Sequence, residues 1–394
     1  MSTICDIKIS SHLNDLGGKI WNSSIRWTKK HAVFVELMDD AGRTGVGECW
    51  CFDAAPDALV AFIRTEVLPD FLGHNLADVL ELSNRMRKKA TLTARHGILS
   101  SALSGFDIAV WDLQAKQADL ALWKYLNGAG TGTVPLYASG GLYGEGKDLP
   151  ELANEMKGFS DDGFGLVKMK VGGAPLIEDI ARVQAVIDAL PTNAQIIIDG
   201  VYSYDADTAL RVYEALPDGR VVAFQSPTPA ADLKGMKHLS RAGVPVMATE
   251  AEYREELHQK LIEECEIAFL QTAPVACGGI TAVRSLSKMA AGTATKLSLE
   301  VSSTAVALMA ACHLAAADDR IAHVEYHTVH QVFFDQLALD RSKNLSGRAT
   351  LQNLAGLGIS LTNQSRNFRT RSRIQNRTAQ SGNFVNNLTK ENKK

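Results

Sequence analysis

The sequence is short of cysteine: six residues in 394 (Cys5, Cys49, Cys51, Cys265, Cys277 and Cys312), with no CxxC pair among them. That sparsity excludes a disulfide framework and a structural zinc knot, and reads the thiols as reduced core or loop residues. Long apolar runs are missing too. No stretch approaches the roughly 18 consecutive apolar residues of a membrane span, and the opening MSTICDIKIS has no basic flank followed by an apolar core. A cytoplasmic protein without a membrane partner is expected. Compositional bias is also absent, with 46% hydrophobic and 22% charged residues, which excludes fibrous and low-complexity chains. Positive charge is scarce outside the C-terminus. Residues 363–394 hold eight of the 41 Lys and Arg but one of the 44 Asp and Glu, so the rest of the chain is clearly acidic. Nothing there invites a polyanion, and no nucleic-acid partner is expected. The same tail is rich in Asn, Gln, Ser, Thr and Arg, cannot offset its ordering entropy, and is read as disordered.

What the sequence does contain is a change of rhythm near residue 130. Before it, HAVFVELMDD and TGVGECWCF alternate around a turn at Asp39–Gly42, and helical periodicity follows in PDALVAFIRTEVLPDFL and SALSGFDIAVWDLQAKQADLALWKYL. Residues 1–130 thus form an α+β module. From VPLYAS onward, short apolar runs (LVKMKV, IIIDG, VVAFQ, VPVMATE, IAFLQ, TKLSLE) alternate with amphipathic helices in about seven βα units. A parallel sheet follows from that repetition, and with no glycine-rich dinucleotide fingerprint a closed barrel over 131–330 is favoured over a doubly wound sheet. Residues 331–362 read as a segment packing back on the N-terminal module.

In a barrel, chemistry sits at the C-terminal ends of the strands. Those ends read Lys168 and Lys170, Asp199, Gln225, Glu250, Ala273 and Glu300. Lys168 and Lys170 are two apart, so both leave one face of a strand. Mutual repulsion and burial would lower an amine pKa and make one of them a general base. A solvated pair at a strand edge is the alternative, which the apolar flank of Leu166, Val167, Met169 and Val171 disfavours. Asp199, Gln225 and Glu250 bring oxygens to successive strand ends, a donor set for a hard cation such as Mg²⁺. Taken singly, each acid could equally be a helix cap or loop carboxylate.

These residues resemble the enolase superfamily, in its mandelate racemase and muconate lactonizing enzyme branch, over about residues 5–361. SALSGFDIAVWDL at 101–113 is similar to the closing helix of that family's cap, YASGG at 137–141 to its first barrel strand, KMK at 168–170 to its KxK motif, and CGGIT at 277–281 to a barrel turn. HLAAA at 313–317 also fits. The resemblance implies a (β/α)7β TIM-like barrel under an N-terminal α+β capping domain, acting on a small-molecule carboxylate as a homo-oligomer. It implies Mg²⁺ held by Asp199, Gln225 and Glu250, with Lys170 as base, Lys168 depressing its pKa, and Glu300 as a further catalytic residue. The third ligand reads as Glu250 in one alignment and Thr249 in another, and spacing from Asp199 and Gln225 favours Glu250.

Three departures from the family pattern bear on activity. Asp-Ala-Asn becomes Asp199-Gly200-Val201, Glu-Glu-Pro becomes Gln225-Ser226-Pro227, and the second acid/base position is Ala273. An amide in place of a carboxylate predicts weakened Mg²⁺ binding, and the lack of a titratable group at Ala273 disfavours two-base racemisation. Glu300 takes the position of the family's His and also resembles the Glu that ends its eighth strand. Water elimination or cycloisomerisation with Lys170 alone moving the α-proton is the expected enzyme chemistry. A metal-free binding or structural barrel is the alternative. Trp21, Arg26, Trp50 and Tyr137, with Trp27 and Cys51, are the expected substrate contacts, an Arg among aromatics being suited to a second carboxylate. The tryptophans could equally be cap packing. His327 and His330 form an HxxH with no third ligand nearby, which argues against zinc.

Overall fold

The computed structural model describes residues 2–51, 56–93, 96–126, 128–331 and 347–361. The expected disordered tail, 363–394, lies outside the described residues, as do residues 332–346.

The cap opens with an antiparallel sheet of β1 (Ile4–Trp21), β2 (Arg26–Asp39) and β3 (Thr44–Cys49). The β2–β3 turn closes on Asp39, whose Oδ1 accepts from the amides of Ala41 and Arg43 at 3.0 and 2.8 Å. Gly42 there takes a φ of +78°, a conformation that glycine adopts without strain. Period two divides β2 between two cores. Val33, Val35 and Leu37 face the helices of the cap, while Ala32 and Phe34 join the cluster that runs into the barrel. One strand therefore welds cap to barrel.

The helix His96–Gln117 completes the weld, being buried along most of its length from Leu99 to Ala115. A helix apolar on all sides belongs between layers. Its cap side touches β3 at Gly47, where an added Cβ would run into the Gly105 carbonyl. On its barrel side, Ser104 Oγ accepts from the Gly278 amide at 2.8 Å and Trp111 Nε1 donates to Thr281 at 2.9 Å.

The second module is a closed barrel of eight parallel strands: β4 (Thr133–Ser139), β6 (Leu166–Lys170), β7 (Gln195–Asp199), β8 (Val221–Gln225), β9 (Val246–Ala248), β10 (Phe269–Thr272), β11 (Lys296–Leu299) and β12 (Ile321–His327). β12 pairs back onto β4, with Glu325 opposite Tyr137 and His327 opposite Ser139. Between β4 and β6, the short β5 (Tyr143–Gly144) adds to the edge of β1. After the barrel, β13 (Arg348–Thr350) runs antiparallel to β4, and Leu357 N donates to Asp112 of the cap helix at 2.7 Å. Tyr137, Ile197, Ala223 and Met247 fill the barrel interior. Among the described residues no helix is long and apolar enough to cross a membrane, and all six cysteines are free thiols.

Candidate active site

At the barrel mouth, β6 delivers both lysines inward. Lys168 is 1% exposed and Lys170 6%. Lys170 Nζ lies 2.5 Å from Asp199 Oδ2 at the end of the next strand. Lys168 Nζ stands 2.5 Å from Glu325 Oε1 and 3.7 Å from Asp199 Oδ2, and donates to Gln225 Oε1 at 3.0 Å. Of the two lysines, Lys168 is not one whose amine is lowered. Burial pulls it down, but the Glu325 and Asp199 carboxylates outweigh burial and hold it above the ordinary lysine value. Its charged form is the one these partners favour.

Asp199, Gln225 and Glu250 converge beside it. Gln225 Nε2 donates to Glu250 Oε2 at 3.0 Å, while its Oε1 accepts from Lys168 and from Gln271 Nε2 at 3.2 Å. Glu250 is pushed above the usual carboxylate range, by burial first and by the charge of Asp199 second. Two carboxylates forced together in this way suit a hard cation between them. Among the described residues no group of three or more His, Cys, Asp or Glu side chains is placed to hold a metal ion. The set here is two carboxylates and one amide, and the amide turns its nitrogen toward Glu250. Thr249, the alternative ligand, is 1% exposed and its hydroxyl has no partner among the described residues.

Glu300 follows the seventh barrel strand, β11, and is 3% exposed. One of its oxygens accepts from the Ser302 amide at 2.8 Å, and the other has no hydrogen-bond partner among the described residues. Burial, and then the charges of Glu325 and Glu250, raise its pKa well above the usual carboxylate range. Its likeness to an eighth-strand glutamate needs correcting. That place belongs to Glu325 on β12, which sequence reading missed although VEYH alternates Glu325 and His327 onto one face. Glu325 is lowered: burial would raise it, and Lys168 and Lys170 overcome that.

The cap contributes a second missed group, Lys30 of β2. It is 1% exposed, with its Nζ 4.6 Å from the centre of the Trp50 ring. Burial lowers it to about 8 against the pull of Glu300 and Glu48. Glu48 of β3, fully buried, accepts from Thr304 Oγ1 at 2.6 Å, from Ala307 N at 3.2 Å and from Ser303 Oγ, all at the start of the barrel helix Ala305–Ala317.

The other expected contacts are distributed differently. Trp50 lies beneath Lys30, and Cys51 beside it is a buried thiol pushed up to about 11 by burial. Trp21 stacks on Tyr143 with centroids 6.4 Å apart, and Arg26 covers it at 4.6 Å while pairing with exposed Glu145 at 2.9 Å. Tyr137, expected at the substrate, is instead fully buried under Lys168, where its hydroxyl accepts from Gln271 Nε2 at 3.1 Å. It belongs to the floor. Residues 52–55 of the expected loop lie outside the described residues.

The substitution at Val201 leaves a mark on the backbone. Val201 has a φ of +46°, the left-handed region that a β-branched side chain avoids and Asn tolerates. Val201→Asn is expected to stabilise the fold by about 1 kcal/mol. Chemical unfolding checks this, and an unchanged or lowered midpoint would show that no strain is relieved there.

Residues 20–127 match the model for the mandelate racemase/muconate lactonizing enzyme N-terminal domain, and residues 151–365 match the enolase C-terminal domain-like model. The chain therefore belongs to the mandelate racemase/muconate lactonizing enzyme branch of the enolase superfamily. It is 28% identical over 348 residues to the L-talarate/galactarate dehydratase of Salmonella typhimurium, spanning 86% of this chain and 83% of that one. Arabinonate dehydratase of Saccharolobus solfataricus is 26% identical over 331 residues, 84% of this chain and 88% of that one. The crystal structure of the Salmonella enzyme superposes with a TM-score of 0.83 at 24% identity, covering 93% of this chain and 92% of that one, a likeness of fold. A mutant of the same dehydratase has been solved liganded with Mg and L-glucarate.

Proposed function

We propose that the protein is a sugar-acid dehydratase or cycloisomerase that removes the proton α to the carboxylate of a small hydroxylated acid, with Lys170 as the base. The observation that carries this reading is the pair of inward lysines at the barrel mouth, one fixed as a cation and the other beside Asp199 at 6% exposure. Removing a proton next to a carboxylate builds a second negative charge, which fixed cations must meet. Lys168, held charged by Glu325 and Asp199, faces that charge without rearranging. Lys170 is the base that takes the α-proton. Glu300 keeps its proton by burial and gives it to the departing β-hydroxyl, so that one C–H and one C–O bond break and water leaves. With Ala273 in place of a second acid/base, one-base chemistry is favoured over racemisation.

The oxygen donors fit a divalent cation. Asp199 and Glu250 would hold Mg²⁺, with Gln225 as third donor once its amide turned its oxygen from Lys168 and Gln271 toward Glu250, and the ion would polarise the substrate carboxylate. The orientation of Gln225 favours a weak site, and it supports the second reading, a barrel that binds carboxylates without turnover. Gln225→Glu replaces an amide by a charge between two ligands and is expected to tighten Mg²⁺ by about tenfold or more in calorimetry. Unchanged affinity would remove Gln225 from the site. The function itself is tested by incubating the protein with Mg²⁺ and a panel of sugar acids in heavy water. Loss of the α-proton signal supports the enzyme, and saturable binding without exchange supports the alternative.

A further inference from the structure

We propose that His327 touches the substrate and selects for hydroxyl groups on it. This rests on the sugar-acid reading above and names the group that reads the sugar hydroxyls.

His327 is the last residue of β12, two past Glu325. Period two puts the imidazole on the same inward face as the Glu325 carboxylate, one step nearer the mouth. The chain is pinned immediately afterwards, where Thr328 Oγ1 donates to the Ser139 carbonyl at 2.9 Å. The ring is 1% exposed, and neither Nδ1 nor Nε2 has a hydrogen-bond partner among the described residues. Its ring neighbours are His330, with centroids 4.6 Å away and planes 34° apart, and Trp27 of the cap, at 5.4 Å and 33°. His330 is itself held, stacked on Trp27 at an interplanar angle of 2° and 3.1 Å from Ser302 Oγ through Nε2. The imidazole thus leans against a stacked pair of rings, with both of its nitrogens left unpaired. A buried edge of that kind is costly unless a ligand completes it.

The chemistry of the edge selects the ligand. Lys170, Lys168 and Lys30 all act on this ring, and burial together with their charges holds it neutral. A neutral imidazole offers one donor and one acceptor. A carboxylate can use only the donor, and a cation would be repelled by Lys168, which Glu325 and Asp199 hold toward its charged form. Two neighbouring hydroxyls, one accepting from the N–H and one donating to the bare nitrogen, match both. Lys168 and His327 then divide the substrate between them, the lysine facing the carboxylate and the imidazole facing carbinols.

The test uses two six-carbon diacids that differ only in hydroxyls, galactarate and adipate, titrated into the Mg²⁺-loaded full-length protein by calorimetry, with ¹⁵N spectra of the imidazoles. In the wild type, galactarate is expected to bind about tenfold tighter than adipate and to shift one imidazole signal, the one missing from His327→Leu. In His327→Leu the preference collapses while adipate affinity and the thermal midpoint hold, and His327→Asn, which keeps a donor and an acceptor, restores part of the preference. An unchanged preference in His327→Leu, equal losses for both diacids, or no galactarate preference in the wild type each overturn the assignment. Exchange of the galactarate α-proton is read separately. Hydroxyl preference through His327 without exchange overturns the α-proton reading and leaves this assignment standing, whereas exchange that is indifferent to His327 overturns this assignment alone.

Discussion

Lys170→Met is expected to lower α-proton exchange by about 10³-fold or more, the scale of a general base removed from its reacting hydrogen. Methionine keeps much of the side-chain volume, and Asp199, 2.5 Å from Lys170 Nζ, retains Lys168 at 3.7 Å. The thermal midpoint should therefore move by only a few degrees, which separates loss of chemistry from loss of fold. Exchange measured by proton spectra in heavy water against the best substrate of the wild type gives the answer. Exchange retained within about tenfold would assign the base elsewhere, Lys168 being the one other lysine on that strand face. Lys168 is a poor substitute in this structure. Glu325, which pairs with Lys168 at 2.5 Å, adds to Asp199 in raising it above the ordinary lysine value, which disfavours it as a proton acceptor.

The second large effect is on stability. Glu48→Ala is expected to cost about 3 kcal/mol, because it strips a buried acceptor from the hydroxyls of Ser303 and Thr304 and from the amide of Ala307 at once. It also takes from Lys30 one of the carboxylates that offset its burial. Glu48→Gln keeps an acceptor oxygen and should lose less than half as much. Denaturant unfolding with a protein concentration series measures both. A loss below about 1 kcal/mol for Glu48→Ala would mean that water replaces the carboxylate and that the cap is held by apolar packing alone. The seating of the cap bears on the chemistry as well. Lys30, Trp27 and Trp50 all enter the mouth from the strands Glu48 anchors, so loosening the cap is expected to raise KM before it lowers kcat.

The barrel half of the site was legible because its spacing is local. KMK states its own geometry: two residues apart in a strand is one face, and an apolar flank makes that face the interior. Asp199, Gln225 and Glu300 could be placed for the same reason, each ending or just following a short apolar run whose end is the functional rim of a barrel, and Glu250 follows Thr249 just past VPVMA. The eighth strand was harder. IAHVEYH is only partly apolar, Glu300 after the seventh strand mimics its glutamate, and His327 and His330 have the spacing of a metal pair, whereas the alternation of Glu325 with His327 carries the information.

What the sequence by itself determined is the fold class and the set of side chains that a parallel barrel presents at its mouth, since both follow from short-range periodicity and the position of strand ends. What only the tertiary structure decided is which charges meet. The contact of Glu48 with Ser303 spans 255 residues, and no local pattern encodes it. It exists because β2 sends alternate side chains into two cores and so fixes the cap on the barrel in one position. That position brings Lys30 toward Glu300, turns Trp27 onto the imidazoles, and leaves Tyr137 in the floor. The protonation states follow from these meetings. Burial moves lysines down and carboxylates up. At Lys168 the partners supplied by packing reverse that direction, while at Glu300 burial leads and Glu325 and Glu250 add to it.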